Sequence, residues 1–292
     1  MSDFLNERVH RLPTLGLGVS SEYGAFATSN GLNLEELYNR FPHFAQFLEV
    51  GVERALGLDD DTRRWVERQG KTTYHFLDVN LARPDLLDEQ ELLEIRKLAE
   101  DMDAAWVCGD AGMWYFGDQH RLQMTLLPPI LTAQSASCYA SSIKRCRQVI
   151  GKEVFPENPP GTVFAGDLDL LTFFADVCEQ ADSGMLLDAA HLAIYQSLVG
   201  RSALDGLDDF PLDRIIELHV AGSSLIDVSG LQIWSDDHRP SVRSETWSIA
   251  QFIIEHAPNL KAVVFECERN PVDKCIPGFS KIYELLQSRL SG

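Results

Sequence analysis

Four of the eight histidines in this chain sit close to carboxylates in the sequence or at the ends of β-rich runs. Asp188-Ala189-Ala190-His191 sets a carboxylate and an imidazole three residues apart. Asp236-Asp237-His238 allows Asp236 and His238 to present alternate side chains to one side. His75 and His219 end two further β-rich runs, and Glu49, Asp110, Glu157, Asp188 and Glu266 fall at the ends of others. Carboxylates gathered in one closed place repel one another and lose hydration. Imidazoles and carboxylates in such numbers are best reconciled by divalent or trivalent cations. Nitrogen and oxygen donors without thiolate suit Fe, Mn or Zn better than Cu(I). Each piece is weak alone: a single Asp-x-x-His is common, Glu157 could cap a helix, and Asp236 could be an ordinary loop carboxylate. Their shared register, one after another at strand ends, is the signal.

That register requires elements to create it. Short β-rich runs at residues 15–19, 47–50, 72–76, 105–108, 153–155, 184–187, 214–220 and 262–265 alternate with amphipathic helical stretches. The helical stretches fall at 32–40, 61–69, 88–102, 133–150, 168–179, 191–199, 244–256 and 279–288. Strand–helix alternation favours parallel strands with crossover helices. Eight such units predict a (β/α)8 TIM barrel formed as one domain over residues 1–292, with the candidate residues gathered at its C-terminal mouth. An open doubly wound sheet would call for a Gly-rich phosphate loop, and Gly16-Leu17-Gly18 has no third glycine at the right spacing. The segment between the seventh run and its helix, which carries Asp236 and His238, reads as a polar loop.

Composition narrows the partners. The net charge is −19, with 25 Lys and Arg scattered along the chain. A field of that sign repels a polyanion unless a basic stripe compensates, so no nucleic acid partner is expected. No apolar stretch is long enough to span a membrane, and Met1-Ser2-Asp3-Phe4-Leu5-Asn6-Glu7 lacks the basic start of a signal peptide. A cytoplasmic protein without membrane contact is therefore expected. The six cysteines form no CxxC pair, which speaks against a zinc knuckle or a redox dithiol. Cys108 and Cys267, at strand ends, read first as packing residues. His10, His43 and His256 lie away from the strand ends, and His120 fits neither group.

Several strings resemble the multinuclear non-heme iron-dependent oxidative enzymes, within the endonuclease IV and xylose isomerase group of barrels. They are Phe47-Leu48-Glu49-Val50, Leu126-Leu127-Pro128, Glu157-Asn158-Pro159, Leu186-Leu187-Asp188, Glu217-Leu218-His219-Val220-Ala221-Gly222, Asp236-Asp237-His238 and Phe265-Glu266-Cys267-Glu268. The resemblance implies two or three iron ions, mixed Fe(II) and Fe(III), with O2 as co-substrate. It implies oxidation of a cysteine-containing, ribosomally made precursor peptide, and a partner protein that recognises the peptide leader. By the same resemblance His75, Asp110 and Glu157 hold one metal. Glu157, Asp188, His219 and Glu266 hold a second, catalytic one, with Glu157 bridging. His191, Asp236 and His238 hold the third. The chain departs from the family pattern in three places. Cys108-Gly109-Asp110-Ala111 puts Asp110 where a histidine is usual, Ala190 and His191 stand where two asparagines are common, and Ser20, Ser21 and Glu22 occupy the region of a strand-one histidine. The competing reading is a Zn- or Mn-dependent hydrolase or isomerase of the endonuclease IV or xylose isomerase type.

Overall fold

A computed structural model of the chain describes residues 3–22, 31–115 and 126–291; His120 lies outside them. Eight parallel strands close on themselves. They are β1 (Gly16–Glu22), β2 (Phe47–Val52), β3 (Lys71–Phe76), β4 (Val107–Asp110), β6 (Val154–Glu157), β8 (Met185–Asp188), β9 (Ile215–Val228) and β11 (Ala262–Glu266). β11 pairs back onto β1, and β8 onto β9, which completes the circle. The fold is a (β/α)8 barrel.

Side-chain alternation along the strands explains why the sequence closes this way. Leu17 and Val19, Leu48 and Val50, Tyr74 and Phe76, Leu218 and Val220, and Val263 and Phe265 belong to the large core between strands and helices. The intervening positions Phe47, Trp106, Cys108, Phe155, Leu186 and Val264 belong to a separate core inside the barrel. Side chains two apart share a face, so each strand feeds both cores at once. Continuing the inward set toward the strand C-termini gives Glu49, His75, Asp110, Glu157, Asp188 and Glu266. The barrel interior is thus apolar at its base and polar at its mouth. At the base, the N-terminal helix α1 (Asp3–Arg11) inserts Val9 into the inner core, and Arg8 bonds Glu153 at 2.8 Å and Asp182 at 3.0 Å.

The outer helices begin where side chains cap them. Asn33 caps α2 (Leu34–Arg40), Asp59 caps α3 (Asp60–Glu67), Asp88 caps α4 (Glu89–Asp101) and Thr132 caps α5 (Ala133–Ile150). Asp169 caps α6 (Leu170–Ala181), and Asp188 caps α7 (Ala189–Leu198). The ring is completed by α8 (Ser244–His256) and α9 (Val272–Ser291). β5 (Ile130–Leu131) and β7 (Ala165–Gly166) form a small parallel pair outside the barrel.

One expectation is corrected. The segment after the seventh barrel strand is not a loop. β9 runs on past the barrel rim and turns back as β10 (Leu231–Arg239), an antiparallel hairpin with Asp236 and His238 on the returning strand. The polar residues of that segment hid the apolar pairing of Ile226 with Ile233 and Leu225 with Trp234, which holds the hairpin together.

Candidate metal centre

All nine residues expected to carry chemistry meet around one pocket or directly behind its wall. The pocket has a volume of about 220 Å3, and its lining includes His75, Asp110, Glu157, His191, Asp236, His238 and Glu266. Asp188 and His219 are fully buried against this wall. His75 Nε2 lies 2.7 Å from Glu157 and 4.0 Å from Asp110. Glu157 Oε1 is 3.6 Å from His191 Nδ1 and 3.5 Å from His219 Nδ1, so this one carboxylate stands between three imidazoles. His219 Nδ1 is also 3.3 Å from Glu266. Asp236 Oδ2 stands between His191 Nε2 at 3.2 Å and His238 Nε2 at 3.0 Å.

The grouping differs in part from the one the resemblance implies. His75, Asp110 and Glu157 form one compact donor set, as expected. The four residues assigned to a second metal divide: Asp188 groups with Glu157 and His191, whereas His219 and Glu266 group with Glu49. Asp236 bridges His191 and His238 by distance, but these three do not form an equally compact set.

Three of the four imidazoles are held from behind. His219 turns Nδ1 to the centre, while its Nε2 meets the carboxylate of Glu49 at 3.1 Å. His191 Nδ1 is 2.8 Å from the Asn158 carbonyl, which leaves Nε2 facing Asp236. His238 Nδ1 meets Glu268, which in turn accepts from the Ser20 hydroxyl at 2.9 Å. Asn158 also exchanges two hydrogen bonds with the Asp188 backbone, fixing the start of α7. An imidazole anchored through one nitrogen by a carboxylate or carbonyl presents the other in a set orientation, the usual arrangement behind metal-binding histidines.

The donor atoms left over indicate what the cluster fits. Asp110 Oδ1, Asp188 Oδ2, Asp236 Oδ1, Glu266 Oε2 and His219 Nδ1 are buried and make no well-formed hydrogen bond. Unpartnered buried polar atoms are costly, and here five converge in one acidic mouth. Cations with oxygen and nitrogen ligands would satisfy them. Without cations the imidazoles carry the compensating charge. Burial alone would lower His75, but the Glu157 hydrogen bond and the charges of Glu157, Glu49 and Asp110 raise it to about 9. His191, His219 and His238 are likewise raised by surrounding carboxylates against the effect of burial. Burial would raise Glu157 and Asp236, yet the neighbouring imidazoles hold both well below the usual carboxylate range. Burial and the Glu157 charge push Asp110 up to about 7.

A sequence-family model described as RiPP precursor modification enzyme MbnB/TglH/ChrH matches residues 30–287. The chain belongs to this family. Its members act on ribosomally made peptides, so this chain is a peptide-modifying enzyme whose substrate class is a precursor peptide. Among similar proteins, a UPF0276 protein of Rhizorhabdus wittichii is 25% identical over 263 residues, covering 85% of this chain and 90% of that protein. A UPF0276 protein of a Caulobacter species is 26% identical over 250 residues, covering 83% and 85%. Among solved structures, a xylose isomerase-like TIM barrel protein from Mycobacterium smegmatis in complex with magnesium aligns with a TM-score of 0.57 at 11% identity, over 97% of this chain and 99% of that one. A xylose isomerase domain protein from Planctomyces limnophilus aligns with a TM-score of 0.54 at 11% identity, over 96% and 97%. These two likenesses establish the barrel fold.

Glu49, Glu217 and Glu268 join the centre without having been assigned to it. Glu49 and Glu268 stand in strings that carry the family resemblance, but their backing roles depend on which nitrogen of each histidine turns inward. Glu217 lies deeper, where Trp106 Nε1 donates to it at 2.6 Å, and burial together with the Glu49 charge pushes it up to about 8. Cys108 is packed in this layer, its thiol donating to Glu49 at 3.3 Å, and burial raises it well above the usual thiol range. Cys267 is also buried. His43 packs against Phe44 and Tyr283, and His256 bonds the Phe252 carbonyl, both away from the mouth.

Proposed function

We propose that this chain is a multinuclear iron-dependent oxidase that uses O2 to modify a cysteine of a ribosomally made precursor peptide. The observation that carries the reading is the set of five unpartnered buried donor atoms converging at the mouth, in a chain of a peptide-modifying family. His75, Asp110, Glu157, Asp188, His191, His219, Asp236, His238 and Glu266 would hold the irons, with Glu157, Asp188, His219 and Glu266 nearest the chemistry. Bound iron would supply Lewis acidity toward a thiol and electron transfer with O2. The chain's own residues prepare the place: Glu49, Asn158 and Glu268 orient the imidazoles, and the apolar layer beneath excludes water from that side. The open mouth is the side from which a peptide would enter. We place the reaction in the cytoplasm, with a partner protein presenting the peptide leader; no described helix is long and apolar enough to cross a membrane.

Oxygen chemistry needs a redox metal, which zinc is not. The decisive experiment is metal analysis with Mössbauer spectroscopy on protein purified without oxygen. The expected result is at least two irons per chain, part Fe(II) and part Fe(III). Stoichiometric zinc, with full activity after iron is stripped, would replace this reading with a metal hydrolase or isomerase.

A further inference from the structure

Beside the mouth lies a second concavity, of about 250 Å3, between the β9–β10 hairpin, α7 and the turn after β6. Ile194, Ile226, Ile233 and Trp234 form its apolar part. Pro160 and Asp236 line both this groove and the mouth pocket, so the two spaces adjoin across these residues. The groove is held in shape. Arg243 stacks over the Trp234 ring at 3.6 Å, and Ile226 faces Ile233 across the hairpin. The same hairpin face carries Val228 opposite Leu231, and Ile226, Val228 and Leu231 are 39%, 49% and 65% exposed. Beyond their cross-strand pairing, these side chains leave much of their apolar surface in water. A row of them leading away from a reaction pocket marks a binding surface.

We propose that this groove is a substrate subsite that takes an apolar side chain of the precursor peptide, a few residues from the one being modified. The inference rests on the reading that the mouth acts on a peptide. Its physical basis is continuity: a peptide whose reacting side chain enters the mouth must leave over the rim, and the hairpin side of the rim offers a pocket sized for a side chain. From Asp236 to Leu231 the strand covers about 17 Å, enough for several residues of an extended peptide to lie alongside. Burying one leucine side chain there would strengthen binding on the order of tenfold relative to a peptide lacking it.

The test is calorimetric titration of the iron-loaded chain with short synthetic peptides at millimolar concentration. Each peptide carries one cysteine in a Gly/Ser background, with a single leucine moved along either side of it. Tighter binding is expected for leucine at one or two positions only. That preference is expected to weaken in Ile226→Thr, which keeps a β-branched partner for Ile233, and to vanish in Thr162→Trp, an exposed residue of the groove wall, while iron content and the affinity of the leucine-free peptide stay as in the parent chain. No preferred position, a preference that survives both substitutions, or no peptide binding at all would overturn the proposal. Replacing cysteine by serine separates the two readings. If the leucine preference persists but no peptide alters the Mössbauer spectrum, the subsite stands and the thiol chemistry fails. If the spectrum responds to cysteine without any leucine preference, the thiol chemistry stands and the subsite fails.

Discussion

At the residue scale, the centre is organised around the histidines and what stands behind them. His219 has one nitrogen turned to Glu157 and Glu266 and the other held by Glu49. His219→Ala and Glu266→Ala are each expected to abolish turnover and to lower the iron content measured on the same preparation. His219→Ala with unchanged activity would refute the site assignment. Glu49→Gln is subtler. The neutral amide keeps the size of the side chain but withdraws the negative charge behind the ring, so iron affinity is expected to fall about 10- to 100-fold. The folded state should survive, and competition against a chelator would measure the loss. Asp110 differs, because its Oδ1 has no partner and its neighbour His75 is already bonded to Glu157. Asp110→His offers a neutral donor of similar reach and restores the residue type usual at this place in the resembling family. It is expected to keep or raise iron content. Loss of activity without loss of iron would assign Asp110 to proton transfer or substrate binding.

At the element scale, the β9–β10 hairpin decides whether Asp236 and His238 reach the centre. Gly222 of β9 stands opposite Arg239 of β10, and a Cβ there would stand 2.2 Å from the Arg239 carbonyl oxygen and 2.6 Å from that of Ser241. Both obstacles are backbone and cannot rotate away. Gly222→Ala must therefore push β10 outward, at a cost of about 1–3 kcal/mol. The expected outcome is partial iron loss through displacement of Asp236 and His238, with the barrel itself intact. Metal content alongside circular dichroism would show whether the two effects separate. A fully loaded Gly222→Ala chain would mean that the hairpin position does not govern the centre.

At the scale of the whole molecule, the closed barrel concentrates negative charge that the metal-free protein must balance with protons. His75 rises from its ordinary 6.5 to about 9, and Glu217, by burial and the charge of Glu49, to about 8. A group raised in the folded state stabilises it below the unfolded value, and that contribution is lost as pH rises toward the folded one. The contribution of Glu217 is therefore lost between pH 4.5 and about 8 and that of His75 between pH 6.5 and about 9, so the metal-free barrel loses stability across pH 6.5 to 9. Glu157 and Glu266, held low by their imidazole neighbours, contribute nothing further to the slope in this window. Bound cations replace the protons, and their binding releases them. The gap in Tm between iron-loaded and chelated protein is therefore expected to widen from pH 6.5 to 9. A constant gap by calorimetry across that range would show that the centre is not proton-compensated when empty.

The order of strands and helices and the mouth position of His75, Asp110, Glu157, Asp188 and Glu266 were legible in the sequence. The reason is local: alternation in a strand depends on neighbours two apart, and a parallel barrel places every strand's C-terminal end on the same rim. His219 was found the same way, although β9 runs nine residues beyond it to Val228. The hairpin was not legible, because its strands carry Asp and Ser among the apolar residues and are recognisable only once Ile226 meets Ile233 and Leu225 meets Trp234. Nor was the division of donors among sites. Glu49 and His219 are 170 residues apart, and Glu268 and His238 are 30 apart. Which nitrogen of each ring faces inward depends on such partners. Sequence spacing determines which side chains arrive at the rim; only closure of the barrel decides which of them touch.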